Sequence, residues 1–388
     1  MMAWLCALRG KKWISLGMMV FSAAAFLRAQ SKVEIKTIGG VPHVLNPAKP
    51  LKGTVQLEVE RVRSIDPYEQ PDVGMRMILF TRNDAGSVIL FDPNRAEGHR
   101  FGPDGKYLGR LTKMGQGPGE FSPMQGYRVL FQGPDIWVYG GRKVARFDGT
   151  GKFLKDRILK NNFDAGVDAG RVLSRDSEAT DEKTQIWTLR LVEFDMDGAE
   201  KTVDLLQAEN IEMIRNPSVQ GAFADEWGTP RFFFAADPSL TRIYCGLNTK
   251  YQISVRDYAG RTLLVIEKPY DNVKVSRADV EKLMSWALKN ERSKWILSAY
   301  PNRLIAVKDV KPLPKGYLAV YRVSGVKKFE IDVFDPQGRY VYALIPPPEV
   351  KMDEAQFFNF GFGTVEEAGD SFAYREYRVN NLPEVFGK

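Results

Sequence analysis

The chain has 388 residues, of which 55 are lysine or arginine and 48 are aspartate or glutamate, so its net charge is +7 at neutral pH. Acidic and basic residues are mixed along the whole chain, and no region concentrates the basic charge that a nucleic-acid-binding face requires. Only two histidines are present, which argues against zinc hydrolases and histidine-based catalytic triads, because these need histidines placed with partners.

The chain begins with a segment typical of a secretory signal peptide. Three basic residues in positions 9–12 precede an apolar run, WISLGMMVFSAAAFL, at residues 13–27. The run is too short for a comfortable membrane span and ends in small residues. We expect cleavage after Ala29, with Ala25 as the alternative. The sequence therefore predicts an exported chain, periplasmic or secreted, without a transmembrane span and with a mature net charge of +3.

The two histidines and two cysteines show no catalytic or metal-binding pattern. His43 lies beside a proline in GVPHVLNP, His99 lies in EGHRFG, and neither has a partner at ligand spacing. Cys6 precedes the apolar run, so a lipid anchor is not expected. Cys245, in the strand-like segment TRIYCGL, cannot form a disulfide within the mature chain, and we expect it to be a buried small hydrophobic residue.

Five short segments of the chain share one pattern. In four of them a phenylalanine stands four residues before a glycine, whereas Arg256 replaces the aromatic residue in the other. The segments are RFGPDGKYL (100–108), RFDGTGKFL (146–154), EFDMDGAEK (193–201), VRDYAGRTL (255–263) and VFDPQGRYV (333–341). Aspartate and glycine favour a tight turn between apolar β-strands, so each segment predicts a β-hairpin.

The spacing of these hairpins predicts a β-propeller. Their glycines are separated by 46, 47, 62 and 78 residues, and a repeat of short strands with a period in the forties is typical of four-stranded blades. Strand-like segments remain at residues 33–47 and after Pro348. A sixth blade built from both termini would use them and would remove open sheet edges. We therefore expect an all-β, six-bladed propeller as a single domain over residues 30–388.

One amphipathic helix is predicted inside this strand-rich chain, at about residues 276–290. Ser276 and Asp279 have the spacing of a capping box. Trp286 falls outside the apolar stripe, so the helix either packs on the propeller rim or uses this tryptophan to bind a partner. The residues of the stripe are Val280, Leu283, Met284, Ala287 and Leu288.

A glycine-rich run, MGQGPGEF at residues 114–121, suggests a phosphate-binding loop at first sight. A Walker-type loop requires a following Lys-Ser or Lys-Thr pair, whereas Glu120 and Phe121 stand there, and Glu120 would repel a phosphate. A dinucleotide-binding loop requires a βαβ unit, whereas the following segment, YRVLFQGPDIWVY, is strand-like. The run therefore needs another explanation.

The chain resembles six-bladed β-propellers of the NHL-repeat type, and more closely a set of exported bacterial propeller proteins of mostly unassigned role. The resemblance covers residues 33–160 and 250–345 well and residues 160–240 weakly. The passages that carry it are residues 41–51 (VPHVLNPAKPL), 114–154, which begin with the glycine run, and 251–283.

The resemblance implies that the glycine run links the outermost strand of one blade to the innermost strand of the next. Phe121 would then pack between blades. In such propellers the links between blades share one face with the loops between second and third strands, and ligands bind there. Gln116 and Glu120 would project from that face and Arg142 from the neighbouring loop YGGRKV, so these three are the candidate ligand-binding residues.

Two classes of function remain open at this point. The leading expectation is a monomeric binding or scaffold protein that presents its loop-rich face to a peptide, a glycan or an envelope protein, without a cofactor. The alternative is a propeller hydrolase, lactonase or lyase with a divalent metal such as Ca²⁺ in the channel, held by carboxylates from separate blades. A sensor ectodomain acting through a separate partner is a third possibility.

Overall fold

A computed structural model describes residues 32–387 apart from residues 71–72, 74, 76, 124–125, 180–183, 213, 216–221, 224, 290 and 369–370. The predicted signal peptide therefore lies outside the described residues. Six main sheets form the blades of a propeller, which confirms the all-β, six-bladed architecture expected from the sequence. Among the described residues, no helix is long and apolar enough to cross a bilayer.

Four antiparallel strands, named a to d from the axis to the rim, form each of blades 1 to 3. Blade 1 consists of Leu79–Arg82, Val88–Asp92, Glu97–Phe101 and Tyr107–Thr112. Blade 2 consists of Tyr127–Gln132, Asp135–Gly140, Lys143–Phe147 and Phe153–Ile158. Blade 3 consists of Ala165–Asp168, Arg171–Ala179, Thr184–Phe194 and Glu200–Glu212. The spacing of 62 residues after Gly198 contains the long strand d of this blade and the connection to blade 4.

Blades 4 and 5 follow the same plan. Blade 4 consists of Phe232–Asp237, Arg242–Leu247, Gln252–Asp257 and Thr262–Glu267. Blade 5 consists of Val307–Pro312, Leu318–Gly325, Lys328–Phe334 and Tyr340–Ile345. A short pair of strands, Ile214–Arg215 and Ala222–Phe223, lies in the connection from blade 3 to blade 4.

Blade 6 closes the ring with strands from both ends of the chain. Its strands a to c are Gln356–Phe358, Gly361–Ala368 and Ser371–Val379, and its strand d is Val59–Ile65. Strand d pairs antiparallel with strand c, with Val59 opposite Val379 and Ile65 opposite Tyr374. This confirms closure by both termini. The assignment of residues 33–47 to the sixth blade was wrong, because Val59–Ile65 takes that place.

The N-terminal segment instead runs along the rims of two blades. A hairpin of Glu34–Ile38 and Val41–Leu45 adds to blade 4, where Val41–Leu45 lies parallel to strand d. Thr54–Gln56 then adds to strand d of blade 5, again in parallel. In both pairs the N-terminal strand runs in the same direction as the strand d that it covers, and the crossing from one rim to the next replaces the tight turn of a hairpin. The first three N-terminal strands therefore cover blade edges without belonging to the repeat.

The glycine of the repeat allows the positive φ of its turn, and at Gly260 it also allows close contact with the neighbouring blade. Gly105, Gly151, Gly260 and Gly338 have φ between +79° and +81°, a region that favours glycine. A Cβ at Gly260 would lie 2.8 Å from Cγ1 of Val203 in blade 3. Gly198 has no positive φ, and its turn is the one in blade 3, whose sequence resembles the pattern least.

The apolar core lies between blades. Each of the six interfaces holds a cluster of buried side chains from two neighbouring sheets. Cys245 belongs to the cluster between blades 3 and 4, where burial raises the pKa of its thiol to about 12. The structure thus agrees with its expected role as a small buried hydrophobic residue.

The predicted helix is shorter than expected and belongs to a helical insertion between blades 4 and 5. Helix α1, Arg277–Leu283, begins with the capping box of Ser276 and Asp279. The backbone departs from helical geometry at Met284, and a second helix, α2, covers Ser285–Leu288. A third, α3, covers Trp295–Ala299. A last short helix, α4, covers Pro383–Phe386 after the final strand.

Most of the predicted stripe is buried in this insertion. Val280, Leu283, Met284 and Ala287 pack against Trp227 from the link between blades 3 and 4. Leu288 was wrongly assigned to the buried side, because 44% of its surface is exposed. The short 3₁₀ helices of the chain are Pro67–Glu69, Pro238–Leu240, Glu291–Ser293 and Pro314–Gly316.

Candidate functional site

The glycine-rich run connects strand d of blade 1 to strand a of blade 2, as the sequence suggested. It turns back on itself, because the amide of Gly115 donates to the carbonyl of Phe121 at 3.0 Å and the amide of Phe121 donates to the carbonyl of Lys113 at 3.1 Å. The run therefore forms a closed loop on the face that carries the links between blades, which we call the link face.

Phe121 anchors this loop between two blades. Only 1% of its surface is exposed, and it packs in a cluster with Phe91 and Leu111 of blade 1 and Val129 and Phe147 of blade 2. Burying an aromatic side chain of this size contributes about 2–3 kcal/mol. The expected packing role of Phe121 between blades is confirmed.

Glu120 folds back into the loop instead of projecting from the face. Its Oε2 accepts a hydrogen bond of 3.0 Å from the amide of Gly117, and its Oε1 lies 3.0 Å from Nζ of Lys113. The Gly117 hydrogen bond is the main cause of a lowered pKa for this carboxyl group, and Lys113 adds to it. The negative charge of Glu120 is therefore already matched within the loop.

Two residues that sequence reasoning missed fix the loop to blade 2. Lys143 donates to the carbonyl of Gly117 at 2.7 Å and forms an ion pair of 2.8 Å with Asp156. Asp156 also accepts a hydrogen bond of 3.0 Å from the amide of Gly119. A Cβ at Gly119 would lie 2.8 Å from Cδ2 of Phe153. No spacing in the sequence links position 119 to position 156, since strands a to c of blade 2 lie between them.

The loop and the neighbouring turn of blade 2 enclose a cavity of about 230 Å³ on the link face. All three candidate residues, Gln116, Glu120 and Arg142, line it. The other lining residues are Gly115, Phe121, Ser122, Gly140, Lys143 and Ile158. The structure therefore brings the three predicted residues together, although they lie on two separate segments of the chain.

The cavity combines an available cation with an apolar rim. Arg142 is exposed, and its contact with the carbonyl of Lys160 is a long one of 3.4 Å. Lys143, by contrast, is held by Asp156. Ile158 lines the cavity and exposes 58% of its surface. Arg142 can therefore pair with an acceptor or an anion while the rim contacts an apolar group.

A second cavity, of about 330 Å³, lies in blade 3 on the face opposite the link face, beside the turns that join strand a to b and strand c to d. It is lined by Gly170, Arg171, Glu193, Phe194, Asp195, Ala199 and Lys201. Arg171 is already paired there with Asp168 and Glu193, both at 2.9 Å. Asp195 accepts a hydrogen bond of 3.1 Å from the amide of Asp197 within its own turn. The DMDG segment is thus a hairpin turn, as the repeat predicted.

Metal ligands do not converge in the described part of the chain. No group of three or more His, Cys, Asp or Glu side chains there is arranged to hold a metal ion. His99 is buried, its Nδ1 lies 3.1 Å from the hydroxyl of Tyr107, and desolvation lowers its pKa to about 4, with Arg110 and Arg95 contributing. His43 forms a 2.5 Å contact with Glu267 on the rim of blade 4.

No family model and no curated protein matches the chain. Among solved structures, a member of the DUF4221 family from Bacteroides vulgatus ATCC 8482 superposes with a TM-score of 0.50 at 10% identity, covering 84% of this chain and 100% of that one. An inferred exported protein of Bacteroides fragilis NCTC 9343 gives a TM-score of 0.45 at 11% identity, with coverage of 85% and 99%.

A streptogramin B lyase is a more distant structural neighbour. It gives a TM-score of 0.38 at 11% identity, with coverage of 84% of this chain and 98% of that one. At identities this low, structural similarity establishes the fold and leaves function to the residues of the site. The similarity to the DUF4221 member agrees with the six-bladed propeller described above.

Proposed function

We propose that the chain is an exported binding protein that uses the link face of its propeller to hold a peptide, a glycan or a protein of the cell envelope. The proposal combines the signal peptide expected at residues 1–29 and the single domain expected over residues 30–388 with the cavity on the link face. In this proposal the ligand is held without covalent chemistry, and the propeller acts as a rigid support.

The observation that carries the proposal is the cavity shared by Gln116 and Arg142. The two side chains come from different connections of the propeller, and both are exposed to solvent. The loop beneath them is fixed by the Phe121 anchor and by the Lys143–Asp156 ion pair. A site held rigid before binding loses less conformational entropy when the ligand arrives.

The chemistry of the cavity suits a ligand with one polar or anionic group beside an apolar group. Arg142 supplies a planar guanidinium that binds carboxylates well, and the amide of Gln116 can donate and accept. Ile158 offers apolar contact. Glu120 holds the loop in shape, so we assign it a structural role in binding.

The proposal is tested by screening defined peptides and envelope glycans for a thermal shift, followed by calorimetry on each hit. We expect a hit whose affinity falls about 10-fold to 100-fold in Arg142→Ala, the range for losing a hydrogen bond to a charged group. Gln116→Ala should weaken it less. Arg146→Ala is the matched control, since Arg146 pairs with Asp135 away from the cavity.

The alternatives predict different results in the same screen. If no peptide or glycan stabilises the protein, the peptide and glycan forms of the proposal fail, and an envelope protein is the ligand that remains. If a hit binds Arg142→Ala and Gln116→Ala as tightly as the unmodified protein, the site assignment fails although the protein binds. A ligand that is converted to a product would show an enzyme instead of a binding protein.

A further inference from the structure

The outermost strand on blade 4 has one edge without a partner strand. This strand, Glu34–Ile38, is called the edge strand below. It ends the six-stranded sheet of blade 4 and pairs on its inner side with Val41–Leu45. Among the residues that the structure describes, no strand pairs with its outer side. All five of its residues are exposed, so its outer edge is open to pairing with a further strand.

The turn of this hairpin sets the phase of its hydrogen bonds. The turn consists of two glycines, at positions 39 and 40, with φ of +58° and +83°. Ile38 and Val41 lie opposite each other directly beside the turn. A two-residue turn of this kind is closed by a pair of residues that exchange both of their backbone hydrogen bonds. Ile38 therefore directs its amide and carbonyl toward the inner strand.

The backbone groups of Ile35 and Thr37 consequently point to the open edge. In an antiparallel ladder, pairs that exchange hydrogen bonds alternate with pairs that exchange none. Thr37 lies opposite Pro42, which has no amide hydrogen, so this pair belongs to the second kind. Ile35, two residues away, has the same phase as Thr37. Both residues thus present an amide and a carbonyl to whatever strand lies outside.

The edge strand carries opposite charges two residues apart. Glu34 and Lys36 lie on the same face of the strand, with Nζ of Lys36 3.3 Å from Oε1 of Glu34 and more than half of each side chain exposed. In an antiparallel copy of the strand centred on Ile35, the two Ile35 residues would exchange hydrogen bonds through their outward-facing groups. Each Glu34 would then lie directly opposite Lys36 of the second copy, where oppositely charged pairs stabilise a sheet.

Charge disfavours the neighbouring registers. Outward-facing groups of two copies meet only when one copy slides by two residues at a time. Sliding it one way places Lys36 opposite Lys36 of the second copy, and sliding it the other way places Glu34 opposite Glu34. Like charges directly opposite each other destabilise a sheet. Lysine on an exposed edge commonly prevents association, but in the register centred on Ile35 each lysine meets a glutamate.

The chain's own N-terminus is too short to cover this edge. The expected cleavage after Ala29 would leave residues 30–33 before the edge strand. Four residues cannot form a turn and also pair along a strand of five. An occupant from a second molecule is therefore required, and the charge pattern of the edge strand is complementary to itself.

We propose that a second copy of this chain pairs its edge strand antiparallel with that of the first, around a two-fold axis at Ile35. Such an axis makes both copies use the same surface. The pairing would cover Ile35, of which 64% is exposed in the single chain, and would form two Glu34–Lys36 pairs between copies. It would join the blade 4 sheets of two propellers into one continuous sheet.

The contact is small and separate from the link-face cavity. A single pair of short strands buries little surface, so we expect weak association, with a Kd of about 10–100 µM. The cavity lies at the junction of blades 1 and 2 and contains no residue of the edge strand. Ligand binding and association can therefore be tested independently, and failure of one leaves the other standing.

The test is sedimentation equilibrium of the exported chain between about 1 and 300 µM, where a monomer–dimer equilibrium should appear. Glu34→Lys and Lys36→Glu should each weaken the dimer about tenfold or more, because each turns two oppositely charged pairs into like-charge pairs. Lys106→Glu is the matched control, since it makes the same change of charge at an exposed position on an outer turn of blade 1. It should leave the dimer unchanged.

Mixing the two charge variants provides the decisive measurement. Each supplies the charges that the other lacks, so an equimolar mixture of Glu34→Lys and Lys36→Glu should associate as the unmodified chain does. This result also shows that both variants are folded. Ile35→Pro removes an outward-facing amide and should abolish the dimer.

Three results would overturn the proposal. The first is a chain that stays monomeric over the whole concentration range. The second is a dimer that either charge variant or Ile35→Pro leaves as tight as before, which would place the contact elsewhere on the molecule. The third is a mixture of the charge variants that associates no better than each variant alone.

Discussion

Lys268 donates a hydrogen bond of 2.7 Å to Asp332, and both side chains are almost completely buried where blade 4 meets blade 5. Tyr251 and Tyr340 donate to the same carboxylate at 2.6 and 2.7 Å, and Arg322 donates at 3.1 Å. Burial lowers the pKa of Lys268, and Asp332 acts against that shift. One carboxylate thus satisfies four donors between two blades.

We expect Asp332→Ala to destabilise the protein strongly, because it leaves a buried ammonium and two tyrosine hydroxyls without an acceptor. Removing one partner of a buried ion pair costs about 3–5 kcal/mol. Urea denaturation gives the free energy of unfolding. Glu367→Ala is the control, since its ion pair with Lys351 is exposed and should contribute less than about 1 kcal/mol. Equal effects of the two substitutions would contradict the prediction.

His99 should make stability depend on pH. Its folded pKa is about 4, below the ordinary value of 6.5, so the unfolded chain binds a proton more readily between these values. His99 therefore contributes about 3 kcal/mol to the free energy of unfolding. This contribution is complete above pH 6.5 and is lost as the pH falls toward 4.

Denaturation of the unmodified chain and of His99→Gln between pH 4 and pH 7 checks this expectation. The difference between the two curves isolates the histidine, because the other titrating groups are the same in both proteins. The unmodified chain should lose stability more steeply as the pH falls. Parallel curves would show that His99 is protonated equally in both states.

Asn46 should hold the N-terminal segment to two blades. Its side-chain amide donates to the carbonyl of Glu267 in blade 4 at 3.2 Å and to that of Gly338 in blade 5 at 2.9 Å, and its Oδ1 accepts from the amide of Tyr340 at 2.7 Å. We expect Asn46→Ala to cost about 1–3 kcal/mol, since buried backbone groups lose their partners. Faster hydrogen exchange at the Tyr340 amide would accompany the loss, whereas Asn161→Ala, at an exposed position, should change neither quantity.

Two turn glycines that look equivalent in the sequence should respond differently to alanine. Gly260→Ala places a Cβ at φ of +81° and 2.8 Å from Val203, so we expect a loss of about 2 kcal/mol or more. Gly198→Ala has no positive φ to maintain and should cost less than about 1 kcal/mol. Thermal denaturation of both variants measures the difference. Similar melting temperatures would mean that the turn at Gly260 adapts.

Most of the fold prediction came from the repeat, because turn formation depends on residues that are close together in the sequence. Aspartate and glycine at fixed spacing specify a turn, and five such turns, the first three of them 46 and 47 residues apart, are enough to indicate blades. The prediction failed where pairing is not local. Residues 33–47 are strand-like, but nothing in their sequence shows that they lie on blade 4, because parallel pairing at a rim depends on which edge is within reach.

The candidate site was partly predictable for the same reason. Gln116 and Glu120 stood out because they lie in an unusual glycine run, and the resemblance added Arg142. Lys143 and Asp156 were missed, because single charged residues in strands of mixed charge give no signal. Glu120 was expected to project from the face, and only the structure shows its carboxylate bound by the Gly117 amide.

The sequence by itself determined the all-β class, the hairpin repeat and the closure of the ring by both termini, whereas the family resemblance implied the face on which the glycine run lies. These depend on local turn chemistry and on the period of the chain. Only the tertiary structure decided which side chains meet. Asn46 and Gly338 are 292 positions apart, and they are hydrogen-bonded because the N-terminal segment passes over the rim where blade 4 meets blade 5.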